Sequence, residues 1–186
     1  MALPLRLWAG RPLFAGLVIG GVLCCAFQFW KWFCMDRISK EVRSRVMASI
    51  RGKDTKPEMA LRLALHSLGF RYRVHVGGLP GSPDIVLSRY KAVIFVNGCF
   101  WHLHGCGYAR VPKERVVFWE SKFRRNKARD ASNVEALLAA GWRVLIVWEC
   151  AFGKKGSRER DSLLSETADW IRSSEKYREI PHFPPE

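Results

Sequence analysis

Apolar positions change their period several times along this chain, and each change marks an element. Val42, Val46 and Ile50 recur every four residues behind a capping Ser39, which predicts a helix as far as Arg51, broken by Gly52-Lys53-Asp54. Thr55-Lys56-Pro57-Glu58 reads as a capping box with Pro in the first turn, opening a second helix to Leu68 that Gly69 ends. Arg71 to Val76 suits a strand, and the segment from Gly77 to Pro83 is dense in turn residues. Asp84 to Leu87 and Lys91 to Val96 read as adjacent strands around Ser88-Arg89-Tyr90. The second is almost uniformly apolar, as a buried central strand should be. A basic helix from Glu114 to Ala140, a buried strand from Trp142 to Trp148 and an amphipathic helix from Ser157 to Ser173 follow. The Pro-containing end, residues 176–186, reads as a loose tail. Helices before and after a small mixed sheet predict a single α/β domain.

The first 34 residues have a different character. From Leu13 to Phe27 the chain is wholly apolar, Arg6 and Arg11 precede that run, and no acid occurs before Asp36. A signal peptide or short signal anchor fits this composition, but the run is short for a spanning helix and carries no convincing small-residue cleavage site. The favoured expectation is that Met35 begins the functional chain and residues 1–34 are a translated leader or a mis-assigned start. The domain is then residues 35–175, cytoplasmic and nucleoid-associated, with a membrane location only if residues 1–34 are real and inserted.

Charge narrows the class of partner. The chain of 186 residues carries 31 Lys and Arg against 17 Asp and Glu, a net charge of +14. Setting aside Arg6, Arg11 and Lys31 leaves the remainder at +11, so the excess belongs to the domain. Such an excess favours a polyanion, nucleic acid before an anionic membrane surface. Arg110, Lys113, Arg115, Lys122, Arg124, Arg125, Lys127 and Arg129 crowd the region around the basic helix. Within it Lys122, Arg125 and Arg129 share one face. A solvated helix face is the ordinary reading; the scarcity of acids there favours phosphate contact.

Chemistry concentrates in Cys99-Phe100-Trp101-His102-Leu103-His104-Gly105-Cys106 and a distant Cys150. Cys99, His104, Cys106 and Cys150 suit a closed, structural Cys₃His zinc site, with reduced core thiols as the alternative. His102 lies two residues before His104, so strand-like alternation sends the two rings apart. His102 is then either a proton-transfer group or a support for the zinc site. Asp84, at a strand start behind a Gly- and Pro-rich turn, is placed to hold Mg²⁺ or to cap its own turn. Glu58 is explained by the capping box and is a weaker catalytic candidate. Phe100, Trp101 and Trp119 either pack in a core or unstack DNA by insertion between base steps.

Together, Pro80-Gly81-Ser82-Pro83-Asp84-Ile85-Val86, the run from Ala92 to His102, Phe118-Trp119 with Asn126 and Arg129-Asp130, and the run from Gly141 to Cys150 resemble the very short patch repair (Vsr) DNA mismatch endonucleases. The likeness runs from about Met35 to Ala151. It implies a restriction-endonuclease-like fold and Mg²⁺-dependent nicking of duplex DNA on the 5′ side of the thymine in T:G mismatches, which arise when 5-methylcytosine deaminates. It further implies Asp84 as the metal-binding carboxylate, Val96 as a metal ligand through its backbone carbonyl, His102 as general base and Glu58 as an assisting acid. Cys99, His104, Cys106 and Cys150 would hold zinc, and Phe100, Trp101 and Trp119 would intercalate beside the mismatch. The expected partners are T:G-mismatched double-stranded DNA, mismatch-repair proteins and, functionally, a DNA cytosine methyltransferase; the enzyme is expected to be monomeric.

Three positions depart from the family pattern. Asn97 stands where a second active-site histidine is common, and Asn does not shuttle a proton near neutral pH. Val46 replaces an asparagine, and Ser82 an arginine. The competing functions are a restriction-type or general repair nuclease of the same fold, a zinc-stabilised DNA-binding protein without catalysis, and a membrane-tethered interaction protein.

Overall fold

The computed structural model describes residues 39–49, 52–107, 109–153 and 158–181; the expectations for residues 1–34 lie outside them. The chain divides into two units, Met1–Ile50 and Arg51–Glu186. In the first, helix α1 spans Lys40–Ser49, and Ser39 Oγ accepts the Val42 N–H at 3.3 Å, as the cap reading requires.

The second unit is built on four strands in the order β1-β2-β3-β4. Strand β1 (Ile85–Leu87) runs antiparallel to β2 (Ala92–Asn97), which is parallel to β3 (Arg143–Trp148), itself parallel to β4 (Tyr177–Ile180). Helix α2 (Lys56–Ser67) precedes the sheet, α3 (Val116–Ala139) joins β2 to β3, and α4 (Arg158–Arg172) joins β3 to β4. This is the mixed α/β arrangement the apolar pattern predicts. Among the described residues no helix is long and apolar enough to cross a membrane.

Strand alternation sorts the core into two faces. Ala92, Ile94, Leu145 and Val147 join Leu61 and Leu65 of α2 and Trp170 and Ile171 of α4 in one cluster. Val93 and Val144 face the other way, onto Leu137 of α3. The half-buried Arg143 fastens the base of the sheet to α4. Its guanidinium donates to the carbonyls of Trp170, Ile171 (3.0 Å) and Glu175 (2.9 Å), satisfying carbonyls that a helix end leaves open.

Two elements differ from expectation. The segment from Arg71 to Val76 pairs only at Arg73, which bridges Val86, because Gly77-Gly78 and the left-handed His75 (φ +53°) turn the chain away. The end read as a loose tail instead supplies β4, whose Ile180 is buried in the main cluster. Residues Tyr177–Ile180 lack strict apolar alternation, since Arg178 and Glu179 are held by ion pairs and hydrogen bonds rather than by solvent.

Candidate active site and metal centre

The parallel strands end at Asn97 and Trp148, which sit opposite each other in register. Because β1 is antiparallel, Asp84 at its start lies at this same edge, the usual ligand edge of an α/β sheet. The preceding turn is pressed close to α3: a side chain on Gly81 (φ +73°) would meet Asn133 Nδ2 at 2.9 Å, so only glycine fits there.

Asp84 Oδ2 accepts the Val96 N–H at 2.8 Å. Burial is the main cause raising its carboxyl to about 6; the Val96 hydrogen bond opposes this, while the nearby Glu58 charge adds to it. Glu58 is 4% exposed and its oxygens are occupied. Oε1 accepts from the Thr55 hydroxyl at 2.7 Å, and Oε2 from the Asp54 N–H at 3.0 Å and Arg62 Nη2 at 3.1 Å. The capping box is therefore altered: the Thr55 hydroxyl turns to Glu58 and makes no cap bond to the helix backbone. Arg62 also reaches Asp54 Oδ1 at 2.5 Å and the Asp84 carbonyl at 3.2 Å, and His75 Nε2 lies 3.3 Å from Asp54. The pairing with Arg62 holds the Asp54 carboxyl below its ordinary range. Sequence reasoning passed over Arg62, Asp54 and His75, although Glu58 and Arg62 stand four apart on one helix face.

Past Gly98 the chain folds in tight turns, with Trp101 N–H on the Gly98 carbonyl (3.1 Å) and His104 N–H on the Cys99 carbonyl (3.0 Å). The two histidines diverge, but through these turns and not by strand alternation. His102 Nδ1 meets Asp130 Oδ2 of α3 at 2.5 Å. His104 Nδ1 lies 3.5 Å from Cys150 Sγ. Trp148 stands between them, stacked on His104 at 4.1 Å and 5°, with His102 edge-on at 6.0 Å. Its indole N–H donates to Glu179 Oε2 at 2.9 Å, so β4 helps to hold the tryptophan. Asp130 is a site residue that the sequence reading quoted within a motif without giving it a role.

The donor atoms of Cys99, His104, Cys106 and Cys150 all lie within 4.8 Å of one another, and no disulfide joins the three thiols. A tetrahedral zinc with sulfur and nitrogen ligands separates its donors by roughly 3.5 to 3.8 Å, so a small contraction closes this set around the ion. Burial raises the Cys99 and Cys150 thiols above their ordinary range, neighbouring sulfurs push Cys150 further, and burial lowers His104 below its ordinary value. A dication reverses the thiol shifts outright. The cluster thus has the chemistry, number and convergence of a structural zinc site. At Asp84 the available donors are oxygen, paired with burial and a second acid close by, which suits a hard cation such as Mg²⁺.

Phe100, Trp101 and Trp119 do assemble. Phe100 lies 5.1 Å from Trp101 and 5.2 Å from Trp119, both edge-on, and the cluster rests on the buried Phe123. Lys122 Nζ lies over both tryptophans, 5.2 Å from Trp101 and 5.7 Å from Trp119. Asn126 Nδ2 donates to the Trp101 carbonyl at 2.9 Å, pinning the loop to α3. Arg125 is exposed, and Arg129 forks onto Asp130 at 3.0 Å, so it also braces the partner of His102.

Comparison with known proteins agrees with this geometry. A family model described as DNA mismatch endonuclease Vsr matches residues 35–108. The chain is 48% identical over 124 residues to the type II nicking enzyme V.XorIIP of Xanthomonas oryzae, covering 67% of this chain and 91% of that protein. It is 43% identical over 138 residues to the type II nicking enzyme V.NmeAIP of Neisseria meningitidis, covering 73% and 99%. With the DNA mismatch endonuclease Vsr of Escherichia coli it shares 41% over 136 residues, covering 73% and 87%. By identity and coverage alike, the chain belongs to the Vsr family of DNA nicking endonucleases.

Proposed function

We propose that this protein is a Mg²⁺-dependent endonuclease that nicks duplex DNA on the 5′ side of the thymine in T:G mismatches. The observation supporting this reading is that a half-buried carboxylate, Asp84, lies at the same end of the sheet as the zinc-type loop bearing His102 and the aromatic cluster.

The basic face of α3 contacts phosphates and sets the register of the duplex, Lys122, Arg125 and Arg129 being the main contacts. Phe100, Trp101 and Trp119 enter beside the mismatch, where unstacking costs least. Asp84 and the backbone carbonyl of Val96 would hold Mg²⁺, which when bound would neutralise charge at the scissile phosphate. His102, oriented through Nδ1 by Asp130, takes the proton of the attacking water at Nε2. Glu58 keeps its carboxylate on Arg62, and Arg62 in turn fixes the backbone at Asp84, so Glu58 assists by positioning. Proton transfer by a single histidine suffices in this scheme, with Asn97 binding a water or phosphate oxygen. Cys99, His104, Cys106 and Cys150 would hold a structural zinc that keeps the loop folded, leaving no position on it for water or substrate.

A second reading has its own support, since two of the relatives are named type II nicking enzymes: recognition centred on a flanking sequence, with the mismatch secondary. Single-turnover nicking of an end-labelled T:G duplex tests the proposal. A cut on the 5′ side of thymine, confined to that strand and dependent on Mg²⁺, is expected; a cut at a fixed distance from a sequence motif irrespective of the mismatch favours the second reading.

A further inference from the structure

Helix α3 opens with Val116, Val117 and Phe118, which are 38, 81 and 40% exposed. The chemistry above uses none of them. Three consecutive apolar residues facing solvent, at the start of a helix that buries Phe123 and Leu137, call for something that covers them. The run continues the aromatic cluster, with the Phe118 and Trp119 rings 5.4 Å apart. Cations outnumber acids beside it: Arg115 lies 4.5 Å over the Phe118 ring, and Lys113, Lys122 and Arg124 are close in sequence, against Glu114 and Glu120. Its covering group is therefore a small apolar feature set among negative charges. Three side chains are far too little for a stable protein interface, which buries about 800 Å² per partner. The DNA major groove, wide enough for a helix, displays one apolar group among its phosphates: the C5-methyl of thymine or 5-methylcytosine.

We propose that Val117, flanked by Val116 and Phe118, determines sequence preference by packing on the 5-methyl group of a pyrimidine beside the wedge. This inference rests on the reading of Phe100, Trp101 and Trp119 as the DNA-inserted cluster. The test uses the full-length enzyme and T:G duplexes in which flanking pyrimidines lose their methyl one at a time, thymine to uracil and 5-methylcytosine to cytosine. At one flanking position, demethylation is expected to lower kcat/KM about fourfold, the ratio that burying one methyl carries. Val117→Ser is expected to nick both duplexes at one reduced rate, and Val117→Leu to restore the difference. Equal wild-type rates at every position, or an undiminished ratio in Val117→Ser, would overturn the inference. If the wild type shows no preference for T:G over T:A, the proposed function fails instead, and the methyl comparison is made on whichever duplex is nicked.

Discussion

His102 and Asp130, 28 residues apart, meet through Nδ1 and Oδ2 at 2.5 Å, bridging the zinc-type loop and the long basic helix. A carboxylate at Nδ1 fixes the tautomer in which Nδ1 carries the proton and Nε2 accepts one. In the proposed reaction it also stabilises the imidazolium that forms as His102 takes a proton from water. Asp130→Asn keeps the shape but removes the charge and admits the wrong tautomer. Its kcat is expected to fall about 100-fold with little change in KM, the loss typical of a misoriented catalytic group. A fall in DNA affinity with kcat unchanged would mean that Asp130 serves only to hold Arg129.

Asp84 makes a prediction about stability that is separate from activity. Its carboxyl is raised from 3.8 to about 6 by burial, with the charge of Glu58 adding to the shift. Between those values the folded protein binds more protons than the unfolded chain, so this group's stabilising contribution, full below about 3.8, is lost as pH rises through about 6. The cost above pH 6 has an upper bound of about 3 kcal/mol. Without added Mg²⁺, Asp84→Asn is expected to melt higher than wild type at pH 8 and equal to it near pH 4, while abolishing nicking. A lower melting temperature at pH 8 would contradict the account.

Arg62 is 5% exposed and joins Glu58, Asp54 and the Asp84 carbonyl. Removing one partner of a buried ion pair strands the other charge, at a cost of about 3 to 5 kcal/mol. Arg62→Met is therefore expected to lose stability on that scale by denaturant unfolding, and Arg62→Met with Glu58→Gln to recover much of it. A non-additive recovery would show that the two act as one unit.

One zinc per chain is expected by metal analysis. Cys106→Ser or Cys150→Ser should lower both metal content and melting temperature, because metal binding is folding energy for such a loop. Full metal occupancy in both variants would refute the four-ligand assignment.

Lys122 Nζ lies over the Trp101 and Trp119 rings, and the proposed function gives it a phosphate contact. Lys122→Ala should weaken matched and mismatched duplex binding alike and reduce the salt slope by about one. Trp119→Ala should instead narrow the difference between the two duplexes. A matched loss of preference in Lys122→Ala would move that lysine from phosphate contact to mismatch recognition.

The strands β1, β2 and β3 were legible because their apolar runs are buried on both faces, and the zinc-type set because thiols and imidazole are few and chemically distinctive. Strand β4 was not, since Arg178 and Glu179 hide its alternation and their partners lie on α4 and Trp148. The roles of Asp130, Asp54 and His75 were likewise hidden. A carboxylate on a basic helix reads as solvated until the fold brings a histidine to it, and no local pattern signals a contact across 28 residues.

The most direct measurement is the ratio of single-turnover nicking rates on two duplexes of identical sequence, one with a T:G pair and one with T:A at that position, in Mg²⁺. A rate on T:G larger by two orders of magnitude or more, with the cut on the 5′ side of thymine, is the predicted result. Equal rates on the two duplexes, or no nicking of either, would contradict the assignment of Asp84, His102 and the aromatic cluster to mismatch cleavage.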